Sequence, residues 1–119
     1  MRVRRGDAVL VNYPFASSPG GKIRPALVVQ CDRNNGRLDN TSIVPITSRT
    51  RFAQSETTQV LVQASTSAGK QAGLIADSAI SCENIYTVRS DTIIRKTGRV
   101  PSDVMRQVNE SLRASLDLT

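Results

Sequence analysis

The chain has 119 residues, enough for one small domain with a modest core and too few for a second lobe. Its net charge of +6, carried mainly by arginine, favours a polyanionic partner such as nucleic acid or an acidic protein segment. The sequence contains no histidine, which removes the commonest general base, the commonest zinc ligand and the usual serine-hydrolase triad.

The sequence also predicts no cofactor, no metal site and no membrane segment. Its carboxylates are scattered rather than paired, and it has no Walker A loop. No apolar run approaches the ~20 residues of a membrane span, and no apolar stretch of a secretory signal follows the basic start. We therefore expect a cytoplasmic protein in which Cys31 and Cys82, both in apolar strand-like contexts, are buried, reduced thiols.

Short strands separated by turn formers dominate most of the chain. The strand candidates cover residues 8–13, 26–31, 41–46, 58–62, 73–77, 79–82 and 93–97. Residues 32–40 are dense in turn formers and predict an exposed hairpin connection, and residues 65–69 predict a turn. This close spacing is typical of a small, twisted antiparallel barrel, so the predicted fold is mainly β.

The pattern changes to a helical one near the end of the chain. Val104, Val108, Leu112 and Leu116 recur every four residues after a helix-start signal at residues 101–103. We predict one C-terminal amphipathic helix that packs this apolar stripe on the barrel. The cations just before it are expected to form a solvated basic face: Arg95, Lys96 and Arg99. Without an internal repeat or linker, residues 1–119 are predicted to form a single domain.

Two cations lie where a loop passes into a strand. A segment rich in glycine, proline and serine, residues 14–21, precedes Lys22 and Arg24, and the apolar run 26–29 follows them. That run predicts a buried strand, so Arg24 would project from rigid backbone. The planar fork of donors on arginine suits bidentate contact with phosphate oxygens. Arg24 is therefore a candidate phosphate-binding residue, with an ordinary surface arginine as the plain alternative.

Three motifs together resemble the MazF/PemK family of toxin endoribonucleases from bacterial toxin–antitoxin pairs. They are residues 12–29, with the core Arg24-Pro-Ala-Leu-Val-Val, the segment Pro45-Ile-Thr-Ser, and residues 73–88, which contain Cys82-Glu-Asn-Ile-Tyr-Thr. The resemblance covers nearly the whole chain. It implies an SH3-like or CcdB-like antiparallel barrel, a homodimer, single-stranded RNA as substrate and a cognate antitoxin protein as the inhibiting partner.

The resemblance also indicates the site residues. In the family the arginine before proline and the threonine of P-I-T-S form the core of the active site, and these positions are Arg24 and Thr47 here. Some members use the acid matched by Glu83 near the scissile phosphate. Tyr86 departs from the family pattern, because many relatives carry arginine there. Candidate RNA-binding residues are Phe15, Lys22, Ser48, Arg49, Ser78 and Ser81.

One reaction suits these residues. RNA carries its own nucleophile in the 2′-hydroxyl, so sequence-selective cleavage to a 2′,3′-cyclic phosphate and a 5′-hydroxyl needs alignment, charge stabilisation and modest proton transfer. Arg24 would bind the non-bridging oxygens, and Thr47 would hydrogen-bond the phosphate from the opposite side. The general base stays open. Because arginine stays cationic, Glu83 is the more natural candidate, while a strand-end acid and strand-ending hydroxyls are the plain alternatives.

Two other functions fit part of the sequence. A CcdB-like toxin would bind a protein target such as gyrase and perform no chemistry. Those proteins use a C-terminal Trp-Gly-Ile, whereas this chain has no tryptophan and ends in Leu116-Asp-Leu-Thr. A basic SH3-like module that binds nucleic acid without cutting it would account for the charge and the fold, but not for the three motifs together.

Overall fold

A computed structural model of the chain describes residues 2–13 and 22–119. Seven strands and three helices lie in these ranges. The strands are β1 (Asp7–Tyr13), β2 (Lys22–Val28), β3 (Asn40–Thr47), β4 (Gln59–Val62), β5 (Ser78–Ser81), β6 (Tyr86–Arg89) and β7 (Ile93–Arg99). The helices are α1 (Asp32–Arg37), α2 (Ser67–Gln71) and α3 (Ser102–Leu116), and a short 3-10 turn, Ser90–Thr92, joins β6 to β7.

The strands form one antiparallel sheet in the order β4-β5-β3-β2-β1-β7, with β6 paired to the first half of β3. The register between β1 and β7 shifts twice, between Ala8 and Val9 and between Leu10 and Val11. Such irregularities increase the local twist and help a sheet to curl. The prediction of a mainly β antiparallel fold with a C-terminal helix is confirmed.

The sheet buries a different cluster of side chains on each face. Because successive residues of a strand point to opposite faces, β1 contributes Ala8 to one cluster and Val9, Val11 and Tyr13 to the other. The first cluster lies under α3, which inserts Val104 and Val108. The second contains members of β1, β2, β3, β6 and β7: Val9, Val11, Tyr13, Ala26, Val28, Ile43, Val88 and Ile93.

Three connecting segments differ from the predictions. Residues 32–40 contain the helix α1 rather than a plain hairpin connection, and its Asp32 accepts a 2.6 Å hydrogen bond from the backbone N–H of Arg5. Residues 65–69 include the start of α2, capped by the Thr66 hydroxyl. Residues 73–77 form no strand, because Gly73 adopts a left-handed φ of +72° packed against the backbone of Thr97. In α1 and at Gly73, contacts with residues far away in the chain, Arg5 and Thr97, help to decide the local structure.

Strand boundaries also differ from the sequence pattern. β2 begins at Lys22 and ends at Val28, whereas the apolar run predicts residues 26–31, and β7 continues to Arg99. The sequence pattern does not predict β6, because only Val88 of its four residues is buried and the strand signal is weak. The early start of β2 matters for function, because it places Arg24 inside a strand instead of at a loop junction.

Several predicted environments are also corrected. Cys82 is fully buried, but Cys31 is exposed because it precedes α1 on the surface; both thiols are free. Lys96 and Arg99 are not merely solvated, since both bind the buried carboxylate of Asp7, at 3.2 and 2.7 Å. On α3 the stripe buries Val104 and Val108, whereas Leu116 in the last turn is 53% exposed. Each of these environments depends on neighbours in the folded protein that the sequence pattern does not show.

Candidate active site

Arg24 projects from the part of β2 that extends beyond β3. It lies opposite Val11 of β1, while the pairs between β2 and β3 begin at Ala26. Pro25 is tolerated here because the strand is paired on one side only, so its missing N–H leaves no gap in a second ladder. The Arg24 side chain is exposed, and its backbone is held by β1. It is a fixed cation open to solvent.

The register of the sheet brings Arg24 to the level of Thr47. The β2–β3 pairs are Val28 with Ile43, Leu27 with Val44 and Ala26 with Pro45. If this register is continued two residues past its last pair, Arg24 comes level with Thr47, although the two residues are not themselves paired. Cross-strand partners and residues two apart share a face. Both side chains therefore lie on the face of the sheet that carries the second core cluster, at its open end.

The Thr47 hydroxyl is oriented by a local hydrogen bond. Its Oγ1 accepts from the backbone N–H of Arg49 at 3.1 Å, which closes a small turn at the end of β3. A hydroxyl has one hydrogen and two lone pairs, so this contact leaves the hydrogen to be donated outward. Thr47 is partly buried, and its position as the last residue of β3 keeps it accessible. A donor held in this way suits an anionic oxygen.

Unpaired positive charge surrounds this position. Lys22, Arg24 and Arg49 are exposed, and within residues 2–13 and 22–119 none of them forms an ion pair. By contrast, Lys96 and Arg99 at the far end of β1 are both ion-paired with Asp7. Cations without a carboxylate partner raise the local concentration of polyanions. The site is therefore electrostatically suited to a phosphate backbone.

Two tyrosines form the apolar wall beside Arg24, and the sequence did not point to Tyr13. Its ring meets Tyr86 edge to face, with centroids 5.7 Å apart and an interplanar angle of 87°. Burial raises the pKa of the Tyr13 phenol, the neighbouring Tyr86 adds to the rise, and the nearby charge of Arg24 opposes it. The buried Tyr13 hydroxyl has no hydrogen-bond partner among the described residues. Tyr13 is therefore a neutral phenol at the rim of the site.

Glu83 lies apart from the Arg24–Thr47 pair. Thr47 is opposite Ala79 on β5, and Glu83 follows four positions later, just past the end of that strand. Its carboxylate is already engaged, because Thr58 donates to Oε2 at 2.9 Å and Gln59 donates to Oε1 at 2.6 Å. The structure brings two of the three candidate catalytic residues to one level and holds the third against β4.

The remaining candidates for RNA contact occupy different environments. Ser48 and Arg49 are exposed beside Thr47. Ser78 and Ser81 are buried, where Ser78 donates to the carbonyl of Ala76 and Ser81 accepts from Asn84. Both serines are thus packed within the fold, with side chains largely closed to solvent. Phe15 lies outside the described residues.

Residues 2–13 and 22–119 show neither a metal-binding cluster nor a membrane-spanning helix. In the part of the chain that the structure describes, no three side chains of His, Cys, Asp or Glu gather where they could hold a metal ion. Among the same residues, no helix has the length and apolar character needed to span a membrane.

Comparison with known proteins gives concordant results. The sequence profile of the family described as PemK-like, MazF-like toxin of type II toxin-antitoxin system matches residues 4–116. The curated Endoribonuclease MazF9 of Mycobacterium tuberculosis is 32% identical over 98% of this chain and 98% of its own length. Endoribonuclease EndoA of Bacillus subtilis is 34% identical, over 99% of this chain and 97% of its own length.

A solved structure shares the fold. It is an endoribonuclease in complex with its cognate antitoxin from a mycobacterial species, and it superimposes with a TM-score of 0.79. The match covers 98% of this chain and 97% of that chain at 20% identity. At this identity the likeness shows the architecture, which agrees with the predicted antiparallel barrel and C-terminal helix.

Proposed function

Since the chain belongs to the family of PemK-like, MazF-like toxins of type II toxin–antitoxin systems, we propose that it cleaves single-stranded RNA by attack of a ribose 2′-hydroxyl on the adjacent phosphate. Its full-length curated relatives are endoribonucleases, and it is an enzyme of the same class. The attack forms the 2′-oxygen–phosphorus bond as the 2′-hydroxyl gives up its proton to water, and it breaks the bond to the 5′-oxygen, which takes up a proton from water. The products are a 2′,3′-cyclic phosphate and a 5′-hydroxyl, and no metal ion takes part.

This proposal is supported chiefly by the face of the sheet that Arg24 and Thr47 share, and by the β2–β3 register, which sets them at one level when it is continued past its last pair. A phosphate between the two strands meets a guanidinium on one side and an outward hydroxyl donor on the other. The phosphorane gains negative charge on its non-bridging oxygens, so donors fixed at these oxygens stabilise it more than the ground state. Arg24 supplies the charge, and Thr47 supplies the second donor.

Glu83 takes a positioning role in this proposal. Its two hydrogen bonds tie the chain after β5 to the start of β4, and neither bond requires a negative charge. Glu83→Gln can keep both contacts, because the new amide oxygen accepts from Gln59 and the new amide nitrogen donates to the Thr58 hydroxyl, so cleavage should be retained within a few-fold. A general base at this position would instead lose about 10²–10⁴-fold in rate on the same substitution.

The partners follow from the site's charge and from the family. We propose that residues 1–119 act as one toxin domain, that two copies form a homodimer, and that the protein acts in the cytoplasm. A cognate antitoxin with an acidic segment would neutralise the toxin by covering Lys22, Arg24 and Arg49, since opposite charges speed such an encounter. Base selectivity would come from contacts beyond the phosphate.

The experiment uses a long single-stranded RNA in excess EDTA with mapping of the ends. Wild type should leave cyclic phosphates and 5′-hydroxyls, and RNA with 2′-deoxyribose at the mapped positions should resist cleavage. Arg24→Ala should lose about 10²-fold or more, and Arg24→Lys nearly as much, because an ammonium lacks the bidentate fork. Arg33→Ala, which removes an exposed arginine from α1, is the matched control and should cleave normally.

A strict requirement for Mg²⁺, or cleavage of the deoxy-substituted strand, would refute the mechanism. Near-normal cleavage by Arg24→Ala would remove that residue from it. Gyrase inhibition without RNA cleavage would instead favour a CcdB-like toxin, and RNA binding without any cleavage would favour a simple binding module.

A further inference from the structure

An aromatic platform lies on the turn that follows Thr47. Phe52 is 52% exposed, and among the described aromatic residues it is the most open to solvent, since Tyr13 is buried and Tyr86 is partly buried. The guanidinium carbon of Arg51 lies 5.2 Å from the centroid of its ring. An exposed aromatic ring with an arginine over it is the arrangement on which single-stranded RNA bases stack.

The turn fixes the backbone that carries this ring. The carbonyl of Phe52 accepts hydrogen bonds from the backbone N–H groups of Ser55 and Glu56, at 3.1 and 2.9 Å, and from the Ser55 hydroxyl at 3.3 Å. Ala53, the next residue, is 6% exposed and anchors the turn to the protein. The backbone under the ring is therefore in place before any ligand arrives, so stacking has to order only the side chain.

The position of the turn suits an RNA that reaches Thr47. Phe52 is five positions after Thr47, and an extended chain of that length spans at most about 18 Å. Stacked nucleotides rise ~3.4 Å each, so the two residues lie within about five nucleotides of each other. Arg49 and Arg51 add positive charge between them, with Glu56 as the acidic residue of the same turn.

We infer that Phe52 and Arg51 form a base-stacking subsite for a nucleotide flanking the cleaved phosphate of single-stranded RNA. This inference rests on the proposed function and deepens it. The base stacks on the Phe52 ring, and Arg51 contributes its charge and its planar face. Because every base has a π face, the subsite strengthens binding without selecting one sequence by hydrogen bonds.

The sequence offers a direct probe, because the chain has no tryptophan. Phe52→Trp creates a single fluorophore that keeps a stacking ring, and Leu118→Trp places one at a residue of similar exposure, 58%, at the C-terminus. Each variant is titrated with a mixed-sequence single-stranded RNA whose 2′-hydroxyls are all methylated, so that it cannot be cleaved. RNA should quench the fluorescence of Phe52→Trp and leave that of Leu118→Trp unchanged.

Affinity and salt dependence then separate stacking from charge. Phe52→Leu should weaken binding of the methylated RNA by about 5- to 150-fold, the range of one base–aromatic stack, while Phe52→Trp binds like wild type. Arg51→Gln should bind more weakly and lower the salt slope by ~0.7, the value for one phosphate contact on a single strand.

Three results would overturn the inference. One is unchanged fluorescence of Phe52→Trp at saturating RNA. Another is that Phe52→Leu binds the methylated RNA as tightly as the wild-type protein does, when that wild-type protein is shown to cleave unmodified RNA. The third is a Phe52→Leu defect confined to association with a second copy or with an acidic peptide, which would make the turn a protein-binding surface. Failure of wild type to cleave any RNA would refute the proposed function instead.

Discussion

The buried carboxylate of Asp7 should raise the free energy of unfolding by several kcal/mol, and the substitution Asp7→Asn tests this. Asp7 is 2% exposed and receives three donors: Arg99 Nη1 at 2.7 Å, Lys96 Nζ at 3.2 Å and the backbone N–H of Arg4 at 2.8 Å. Asparagine has nearly the same shape but only one acceptor oxygen. Its amide nitrogen, placed at Oδ2, would face two donors and accept from neither.

The size of the effect follows from the exposure of the partners. Leaving a buried N–H without an acceptor costs about 1–3 kcal/mol, and breaking a fully buried ion pair costs about 3–5 kcal/mol. The side chains of Lys96 and Arg99 are 40% and 51% exposed, so they regain water when the charge is removed. We therefore expect a loss of about 2–4 kcal/mol, which for a urea m value of ~1.5 kcal/mol/M lowers the midpoint by roughly 1–3 M.

The assay is urea unfolding at several protein concentrations, so that any dissociation of a dimer is separated from unfolding of the chain. Asp91→Asn is the matched control. Asp91 pairs with Arg89 at 3.1 Å with both side chains mostly exposed, and its midpoint should equal that of wild type. An Asp7→Asn midpoint within experimental error of Asp91→Asn, at unchanged m, would refute the reasoning.

Further predictions concern the close packing at Gly98, the labelling of the two thiols and the dependence of stability on pH. A Cβ on Gly98 would overlap the backbone of Gln71 and Ala72, so Gly98→Ala should lower the free energy of unfolding by about 3 kcal/mol or more. The control Gly36→Ala meets only the flexible end of the Arg2 side chain and should not destabilise the protein. Equal thermal midpoints for the two variants would contradict this. Burial raises the pKa of Cys82 to about 11, so iodoacetamide at pH 8 should label Cys31 alone in folded protein and both thiols in urea. Because the unfolded thiol ionises near pH ~8.5 and the folded one only near 11, the free energy of unfolding should fall as the pH rises between these values. Rapid labelling of both thiols in folded protein would show that Cys82 is accessible.

The sequence could predict the parts of the fold that depend on local pattern. The apolar stripe of α3 begins at Val104 as expected, because a four-residue recurrence is visible without any partner. The helix α1 was missed because distant residues hold it. Asp32 is bound by Arg5, 27 positions away, and Asn35 accepts at 2.7 Å from the hydroxyl of Thr41, which lies in β3. Neither contact leaves a periodic signal.

The candidate site, like the fold, could be predicted only in part from the sequence. The motifs around Arg24 and Thr47 could be recognised in the sequence, but their shared level required the β2–β3 register. Glu83 looked equivalent to them in the motif, yet its carboxylate is engaged by Thr58 and Gln59, 25 and 24 positions away. Phe52 was an isolated aromatic in a polar segment, and only the structure shows that its ring is exposed on a turn with a hydrogen-bonded backbone.

The placement of Arg24 follows from the way β1 divides the positive charge of the protein. At the start of β1, Asp7 forms ion pairs with Lys96 and Arg99 and so ties β7 to β1. At its other end β1 pairs with Lys22 and Arg24, where β2 has already separated from β3 and no carboxylate pairs with them among the described residues. One strand thus fixes the backbone beneath Arg24 while leaving its guanidinium free to bind an anion. A site built this way is rigid in geometry and unsatisfied in charge, which favours phosphate binding without rearrangement of the backbone.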